Sequence, residues 1–151
     1  MRSKQKGFSL IELLIVVAII LIIAAIAIPN LLRSKIAANQ ASAVASLRTL
    51  NTSSVLFNTN YQQYPSALKD MATGASVTST SADLIDSVLA TGTKSGYNFV
   101  WAGGGTTGNY TIVANPVSIS TGTVYYFTDQ SLVIRSNSTK AATVNDLAIG
   151  N

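Results

Sequence analysis

The chain contains no cysteine and no histidine among its 151 residues. Disulfide bonds, thiolate nucleophiles, imidazole bases and the usual zinc ligand sets are therefore excluded. Charged residues are also scarce, at 11% of the chain, and no cluster of lysine and arginine interleaved with aromatic residues indicates a nucleic-acid groove. We therefore expect no enzyme activity, no nucleic-acid partner and no resident cofactor.

The excess of positive charge is concentrated at the N-terminus. Arg2, Lys4 and Lys6 supply three of the ten basic residues and most of the net charge of +4. Without them, seven basic and six acidic side chains remain, which gives a net charge of +1. The basic balance therefore says little about partners for the rest of the chain.

The main feature of the sequence is one long apolar run. From Phe8 to Ile28 there are 21 consecutive residues with a single charge, Glu12. As a helix this run spans roughly 32 Å, which matches the hydrocarbon core of a bilayer. The basic residues before it and Arg33 and Lys35 after it favour a cytoplasmic N-terminus. A carboxylate inside such a run costs roughly 2.5 to 3.5 kcal/mol on insertion scales, so Glu12 needs an explanation.

Three interpretations of the run are open. A cleaved secretory signal would use Ala25-Ile26-Ala27 as its cleavage site, but the run is longer than usual and Pro29 follows closely. A plain membrane anchor explains the length and leaves Glu12 unexplained. The third interpretation takes Gly7-Phe8-Ser9-Leu10-Ile11-Glu12-Leu13-Leu14 as one motif.

That motif resembles the type III signal sequence of prepilins, the precursors of type IV pilins and of type II secretion pseudopilins. The shared features are a basic leader ending in Gly7, then Phe8, then Glu12 as the fifth residue of the processed chain. Ser9 stands where threonine is commoner. The resemblance implies that residues 1–7 form a cleaved leader, and that prepilin peptidase cuts between Gly7 and Phe8 and methylates the Phe8 amine.

The resemblance also implies a function as the structural subunit of a type IV pilus-like filament. The precursor would sit in the bacterial inner membrane with its C-terminal domain outward, and inner-membrane assembly machinery would polymerise it with copies of itself and related pilins. Residues 8–29 would form the assembly helix, with the Glu12 carboxylate meeting the Phe8 ammonium of a neighbouring subunit. The implied assembly residues are Phe8, Leu10, Ile11, Glu12 and Leu13.

Two alternatives to a surface pilus stay open. A type II secretion pseudopilin would form a short periplasmic pseudopilus and act in protein export. A membrane-anchored periplasmic binding protein would belong to another class, but the sequence offers no pocket motif for it. Roles in adhesion, twitching motility or secretion are not distinguished by the sequence.

Helical periodicity resumes beyond Pro29. We predict one long helix from about Phe8 to about Tyr61, kinked at Pro29; two helices broken at Pro29 are the alternative. Its second half, residues 30–61, is amphipathic. The predicted apolar face consists of Leu32, Ile36, Ala43, Leu47 and Leu50.

Together with the second half of this helix, the rest of the sequence predicts a small α+β domain within residues 30–151. Residues 62–95 contain a loop and a short helix, in which Leu84, Ile85, Val88 and Leu89 form the apolar face before Gly92. Four strands are predicted at 97–102, 110–114, 124–128 and 132–135, joined by hairpin-length connections. We therefore expect the long helix to pack on an antiparallel meander within residues 96–135, with a tail, 136–151, that either lies along the domain or is mobile.

Several smaller signals have ordinary structural explanations. Gly103 to Gly108 is predicted to be a hairpin loop, because it lacks the lysine of a phosphate-binding loop. Asp83 and Asp86 are predicted to lie on a solvated helix face, and Asp129 in a tight turn, where calcium binding is left open. Asn51, Asn109 and Asn137 head Asn-x-Ser/Thr triplets of a kind that is common by chance in a chain rich in serine and threonine.

Overall fold

The structure is a computed structural model that describes residues 7–74, 76–106 and 108–150. The basic leader residues Arg2, Lys4 and Lys6 lie outside the described residues, so their prediction stays untested. The chain divides into two compact units, one ending at Lys35 and the other beginning at Ile36.

A single helix, α1, spans Leu10–Tyr61 and contains Pro29. The alternative of two helices broken at this proline is therefore wrong. Proline removes only one backbone donor, and the hydrogen bonds on either side of it sustain the helix. The kink at Pro29 stays a prediction. The helix begins two residues later than expected, because Ser9 precedes its first turn.

The first unit is an uncovered apolar helix. Its best 18-residue window has a mean hydropathy of 3.3, and none of that window is buried. By length and composition the helix is able to cross a membrane.

In the second unit, α1 buries one face against the sheet. Leu47 and Leu50 are fully buried, whereas Ile36 is half-buried and Leu32, which belongs to the first unit, is exposed. The predicted face is therefore buried only from Ala43 onward. The buried residues of the helix are Ala43, Ser46, Leu47, Leu50, Asn51, Ser53, Ser54 and Phe57.

The segment after α1 contains a 3-10 helix, Leu68–Met71, and one turn of α-helix, α2, at Ser87–Ala90. The prediction that a helix spans Leu84 to Gly92 is wrong. Asp83 has a φ of 54° and Ile85 forms a bridge with Ala72, so the backbone before residue 86 is not helical. Asp86 then starts α2 as its N-cap, and its side chain accepts a hydrogen bond from the Leu89 amide at 2.9 Å.

The sheet is a six-stranded antiparallel meander whose strands follow one another in chain order. The predicted topology is confirmed, but the count of four strands is too low. Two very short edge strands, which carry little periodicity, account for the difference. The strands are β1 Thr93–Lys94, β2 Tyr97–Gly103, β3 Tyr110–Pro116, β4 Tyr125–Asp129, β5 Arg135–Asn137 and β6 Leu147–Ala148.

The predicted strand at 132–135 is placed too early. Leu132 has a φ of 64°, and its amide donates to the Asp129 carbonyl at 2.9 Å in a turn. Extended structure therefore begins at Arg135, which pairs with Ala148 of β6. Residues 147–148 of the tail lie along the domain as a strand, so the prediction that the sheet ends at residue 135 is also wrong.

The core lies between α1 and the aromatic face of the sheet. Tyr97, Phe99, Tyr110 and Ile112 are buried, as their alternation in the sequence predicts. The Trp101 ring stacks on Tyr110 with centroids 4.6 Å apart. The sheet thus gives the second half of α1 a rigid surface, while the first unit carries the predicted processing and assembly residues.

Candidate functional site

The Gly7–Phe8 junction is accessible. The Phe8 side chain is 87% exposed. A Cβ added at Gly7 would meet nothing within 4 Å. Packing by the described residues therefore places no demand for glycine at position 7; a partner that handles this peptide bond could place one.

Glu12 stands in the first turn of α1 and has a partner in its own chain. Its Oε2 accepts a hydrogen bond from the backbone amide of Ser9 at 2.9 Å. Ser9 directly precedes the helix, so this contact is one half of a capping box. The carboxylate also lies at the positive end of the helix dipole, which favours its charge.

The contact between Glu12 and the Ser9 amide was not predicted, although the sequence contains a signal for it. Ser9-Leu10-Ile11-Glu12 matches the Ser-x-x-Glu pattern of a capping box before an apolar run. The carboxylate therefore has two functions to reconcile, capping its own helix and any contact with another subunit.

The surface around Glu12 is apolar and uncovered. Leu10, Ile11 and Leu13, the predicted assembly residues, are 75%, 66% and 61% exposed. An apolar surface of this extent requires lipid or another protein to cover it. The site thus combines one carboxylate, an accessible Gly–Phe junction and a helix that is incomplete alone.

Comparison with known proteins identifies this segment. A family profile described as the prokaryotic N-terminal methylation motif matches residues 2–28. The N-terminal segment carries this motif. The resemblance to type IV pilins and type II secretion pseudopilins is confirmed by the relatives of the chain.

Three relatives illustrate the range of similarity. The chain is 44% identical over 61 residues to the type IV major pilin protein PilA of Myxococcus xanthus, covering 40% of this chain and 28% of that protein. It is 63% identical over 46 residues to the type IV major fimbrial protein FimA of Dichelobacter nodosus, covering 30% and 29% of the two chains. It is 32% identical over 63 residues to the type II secretion system core protein G of Escherichia coli, covering 42% and 43%.

The similarity is partial on both sides. The chain spans 28% of the length of the Myxococcus relative and 43% of the Escherichia relative. The long N-terminal helix and the antiparallel sheet are consistent with a pilin fold.

The glycine-rich stretch from Gly103 to Gly108 connects β2 and β3, as predicted for a hairpin loop. Gly105 donates its amide to the Tyr64 carbonyl at 2.8 Å. A Cβ at Gly104 would lie 1.8 Å from the Pro65 carbonyl oxygen. The glycines allow the loop to dock on the segment after α1, and no phosphate site is needed to explain them.

The three aspartates singled out in the sequence have separate roles. Asp86 caps α2 and pairs with Lys94, whose ammonium holds the pKa of this carboxyl below its usual range. Asp83 lies before the helix, so the prediction of a shared helix face is wrong. Asp129 accepts the Ser131 amide at 2.9 Å, which confirms the predicted turn. Among the described residues no group of three or more acidic or other metal-ligating side chains supports a calcium site.

Asn51 has a structural role that its Asn-x-Ser/Thr triplet does not indicate. It is 5% exposed, so its amide is not available for glycosylation in the folded domain. Its Nδ2 donates to Thr128 Oγ1 at 2.9 Å and to the Leu132 carbonyl at 3.3 Å, and its Oδ1 accepts from Tyr110. This buried network joins α1 to β3, β4 and the turn after β4.

Proposed function

We propose that this chain is the structural subunit of a type IV pilus-like filament. It is made as a membrane-held precursor, cut between Gly7 and Phe8, methylated at the Phe8 amine and polymerised through the helix of residues 8–29. It performs no chemistry itself. Its partners are further copies of the chain and related pilins, the prepilin peptidase, and the inner-membrane assembly machinery.

The observation that carries this proposal is the uncovered apolar half of α1 with Glu12 in its first turn. A helix for membrane anchoring alone gains only a local cap from a carboxylate, whereas a carboxylate costs roughly 2.5 to 3.5 kcal/mol at the centre of a span on insertion scales. A helix that must leave the bilayer and dock against its own kind gains a specific contact from the same group. The named relatives and the methylation motif support this interpretation.

The proposed contact is between Glu12 and the Phe8 ammonium of a neighbouring copy. Before docking, the Ser9 amide partly satisfies the carboxylate. After docking, an ion pair in a water-poor filament core is stronger than the same pair in water, although desolvation offsets part of the gain. Glu12 would thereby fix the axial register between subunits.

The experiment is electron microscopy of filaments sheared from cells that express the chain, with the subunit identified by mass spectrometry. We expect surface filaments built from this chain. Cells that express and process the chain at normal levels yet carry neither surface filaments nor a periplasmic pseudopilus built from it would contradict the proposal.

A type II secretion pseudopilin is the second candidate, because the core protein G relatives match 42% of this chain. In that case, deleting the chain abolishes export of secreted proteins while surface filaments are absent at native expression. A surface pilus gives the opposite pair of results.

A further inference from the structure

An exposed groove on the second unit contains an arginine that has no acidic partner among the described residues. The ion pair found among the described residues joins Lys94 Nζ to Asp86 Oδ2 at 2.9 Å, outside this groove, and does not involve Arg48. The groove has a volume of about 530 Å³. It is lined by Arg48, Asn51, Thr52, Val55, Leu56 and Leu132.

The groove surrounds this cation with exposed apolar side chains. Val55, Leu56 and Leu132 are 42%, 49% and 46% exposed. Leu132 is held with a φ of 64° by the turn after β4, and its carbonyl accepts from Asn51. A leucine in this backbone region is strained, and such residues occur where the surrounding fold determines their position. The surface thus offers one positive charge and a fixed apolar rim, which suits a segment that carries one carboxylate and an apolar side chain.

Most carboxylates of the domain are already engaged. Asp70 and Asp129 are 8% exposed and accept backbone amides. Asp86 pairs with Lys94. Asp146 accepts hydrogen bonds from the Asn137 side chain and from the Thr143 amide. It directly precedes β6, which lies at the edge of the sheet and shares a surface groove with Arg48. Among the described residues, Asp83 is the exposed aspartate that has no ion pair.

Asp83 is exposed. Its φ is 54°, and its Oδ1 accepts from the Thr73 hydroxyl at 2.6 Å, which leaves Oδ2 for a further donor. The same loop, residues 76–83, carries Val77, which is 69% exposed. We call this segment the Asp83 loop. It carries a carboxylate that can pair with Arg48 and an apolar side chain that can pack on the apolar rim of the groove.

The two patches lie on opposite flanks of α1. Ser53 donates to the Leu84 carbonyl at 3.0 Å, so the segment that carries Asp83 packs on the Ser53 flank. Arg48 precedes Ser53 by five residues, which places it about 140° away around the helix axis. Asp83 and Arg48 are therefore unsuited to meet within one copy. Complementary patches on different sides of a molecule are what a head-to-tail, filament-forming contact requires.

We propose that the Arg48 groove receives the Asp83 loop of the next copy of this chain, with an ion pair between Arg48 and Asp83 and with Val77 against the apolar rim. This contact rests on the proposed function, since it joins domains that the N-terminal helices have brought into one filament. It adds a second, domain-level contact to that of the helices and limits which related pilins can join the filament.

Charge reversal tests the contact in cells that express the full chain. Arg48→Glu and Asp83→Arg each place like charges opposite one another at every repeat, so each should lower the yield of sheared filaments roughly tenfold or more. The combined variant restores the ion pair with its signs exchanged and should recover most of the yield. Lys69→Glu, the same change of charge on an exposed lysine outside both patches, should leave the yield unchanged.

Cross-linking gives an independent readout, because the chain has no native cysteine. A variant with both Arg48→Cys and Asp83→Cys should give a ladder of covalent oligomers when its filaments are treated with a bifunctional maleimide, whereas either single variant should stay monomeric. Abundant filaments that give only monomers, or a combined reversal that fails to recover assembly, would overturn the contact and leave the filament function standing. A parent chain that forms no filament or pseudopilus would overturn both.

Discussion

Asn51 shows how a single polar side chain fixes α1 on the sheet. Its amide reaches Thr128, Tyr110 and the Leu132 carbonyl; the contacts with Thr128 and Tyr110 are buried, and the contact with Leu132 is partly buried. A buried polar group left without its partner loses the compensation for its desolvation. The network therefore penalises any sliding of the helix against the strands.

We expect Asn51→Ala to lower the free energy of unfolding of the domain by about 1 to 3 kcal/mol, because it strands buried polar groups. Chemical denaturation of the detergent-solubilised chain measures this. Thr52→Ala is the matched control, since Thr52 is exposed and its hydroxyl donates to the Arg48 carbonyl of its own helix; its effect should stay within about 0.5 kcal/mol. Equal effects of the two variants would contradict the network's role.

Two buried tyrosines should titrate late. Burial is the main cause that raises the pKa of Tyr97 and of Tyr110 to about 12. Their neutral form is favoured in the folded state, so the stability they contribute is complete below the unfolded pKa of about 10 and is lost as pH rises from there through about 12. Tyrosinate absorbance measured against pH should show both groups ionising late, and Tyr97→Phe and Tyr110→Phe should each remove one late step. Titration of all six tyrosines near pH 10 in the folded chain would contradict this burial.

At the scale of elements, the loop between β2 and β3 depends on glycine for close approach. Gly104 has a φ of 91° and lies against the Pro65 carbonyl, whereas Gly108 has a φ of 75° and a Cβ there would meet nothing within 4 Å. The two positions share a backbone region and differ in steric surroundings.

We therefore expect Gly104→Ala to be more destabilising than Gly108→Ala. The second variant bears only the backbone cost of about 1 to 2 kcal/mol, while the first must also move the loop away from residue 65. Thermal unfolding of the two variants compares them directly. An equal shift in Tm would show that the loop does not dock as described.

The elements also show what a sequence of this kind can predict. The aromatic alternation of β2 and β3 and the periodicity of α1 each repeat over several residues; the first prediction holds, and the second holds from Ala43 onward. The predicted extent of the short helix is wrong, because Asp83 adopts a left-handed conformation and Ile85 forms a bridge with Ala72. β6 is two residues long and exists only through pairing with β5. Such features depend on tertiary contacts that local periodicity does not encode.

Of the residues proposed to act in assembly, some can be predicted from the sequence and others cannot. Glu12 stands out from sequence alone because a charge in an apolar run conflicts with its surroundings. The Arg48 groove and the Asp83 loop do not, because their relation depends on which flank of α1 each segment packs against. The network of Asn51 was not predicted for the same reason, since its partners Thr128 and Leu132 lie 77 residues or more away along the chain.

At the scale of the whole molecule, two uses of Glu12 can be separated by one atom. Glu12→Gln retains an oxygen that can cap the Ser9 amide and removes the charge. We expect this variant to be processed and membrane-held like the parent, with filament yield strongly lowered, because an ammonium of the next subunit no longer meets an anion. Quantifying sheared filaments at equal expression measures this. Parental yield from the glutamine variant would show that Glu12 acts only as a cap.

The central claim is that the chain becomes a filament subunit by cleavage at one peptide bond. Intact-mass and N-terminal mass spectrometry of the assembled subunit tests it most directly. The account predicts a mature chain that begins at N-methylated Phe8, and a Gly7→Glu variant that keeps the full leader and stays in the membrane. A mature chain that begins at Ile28, or normal cleavage of the Gly7→Glu variant, would contradict it.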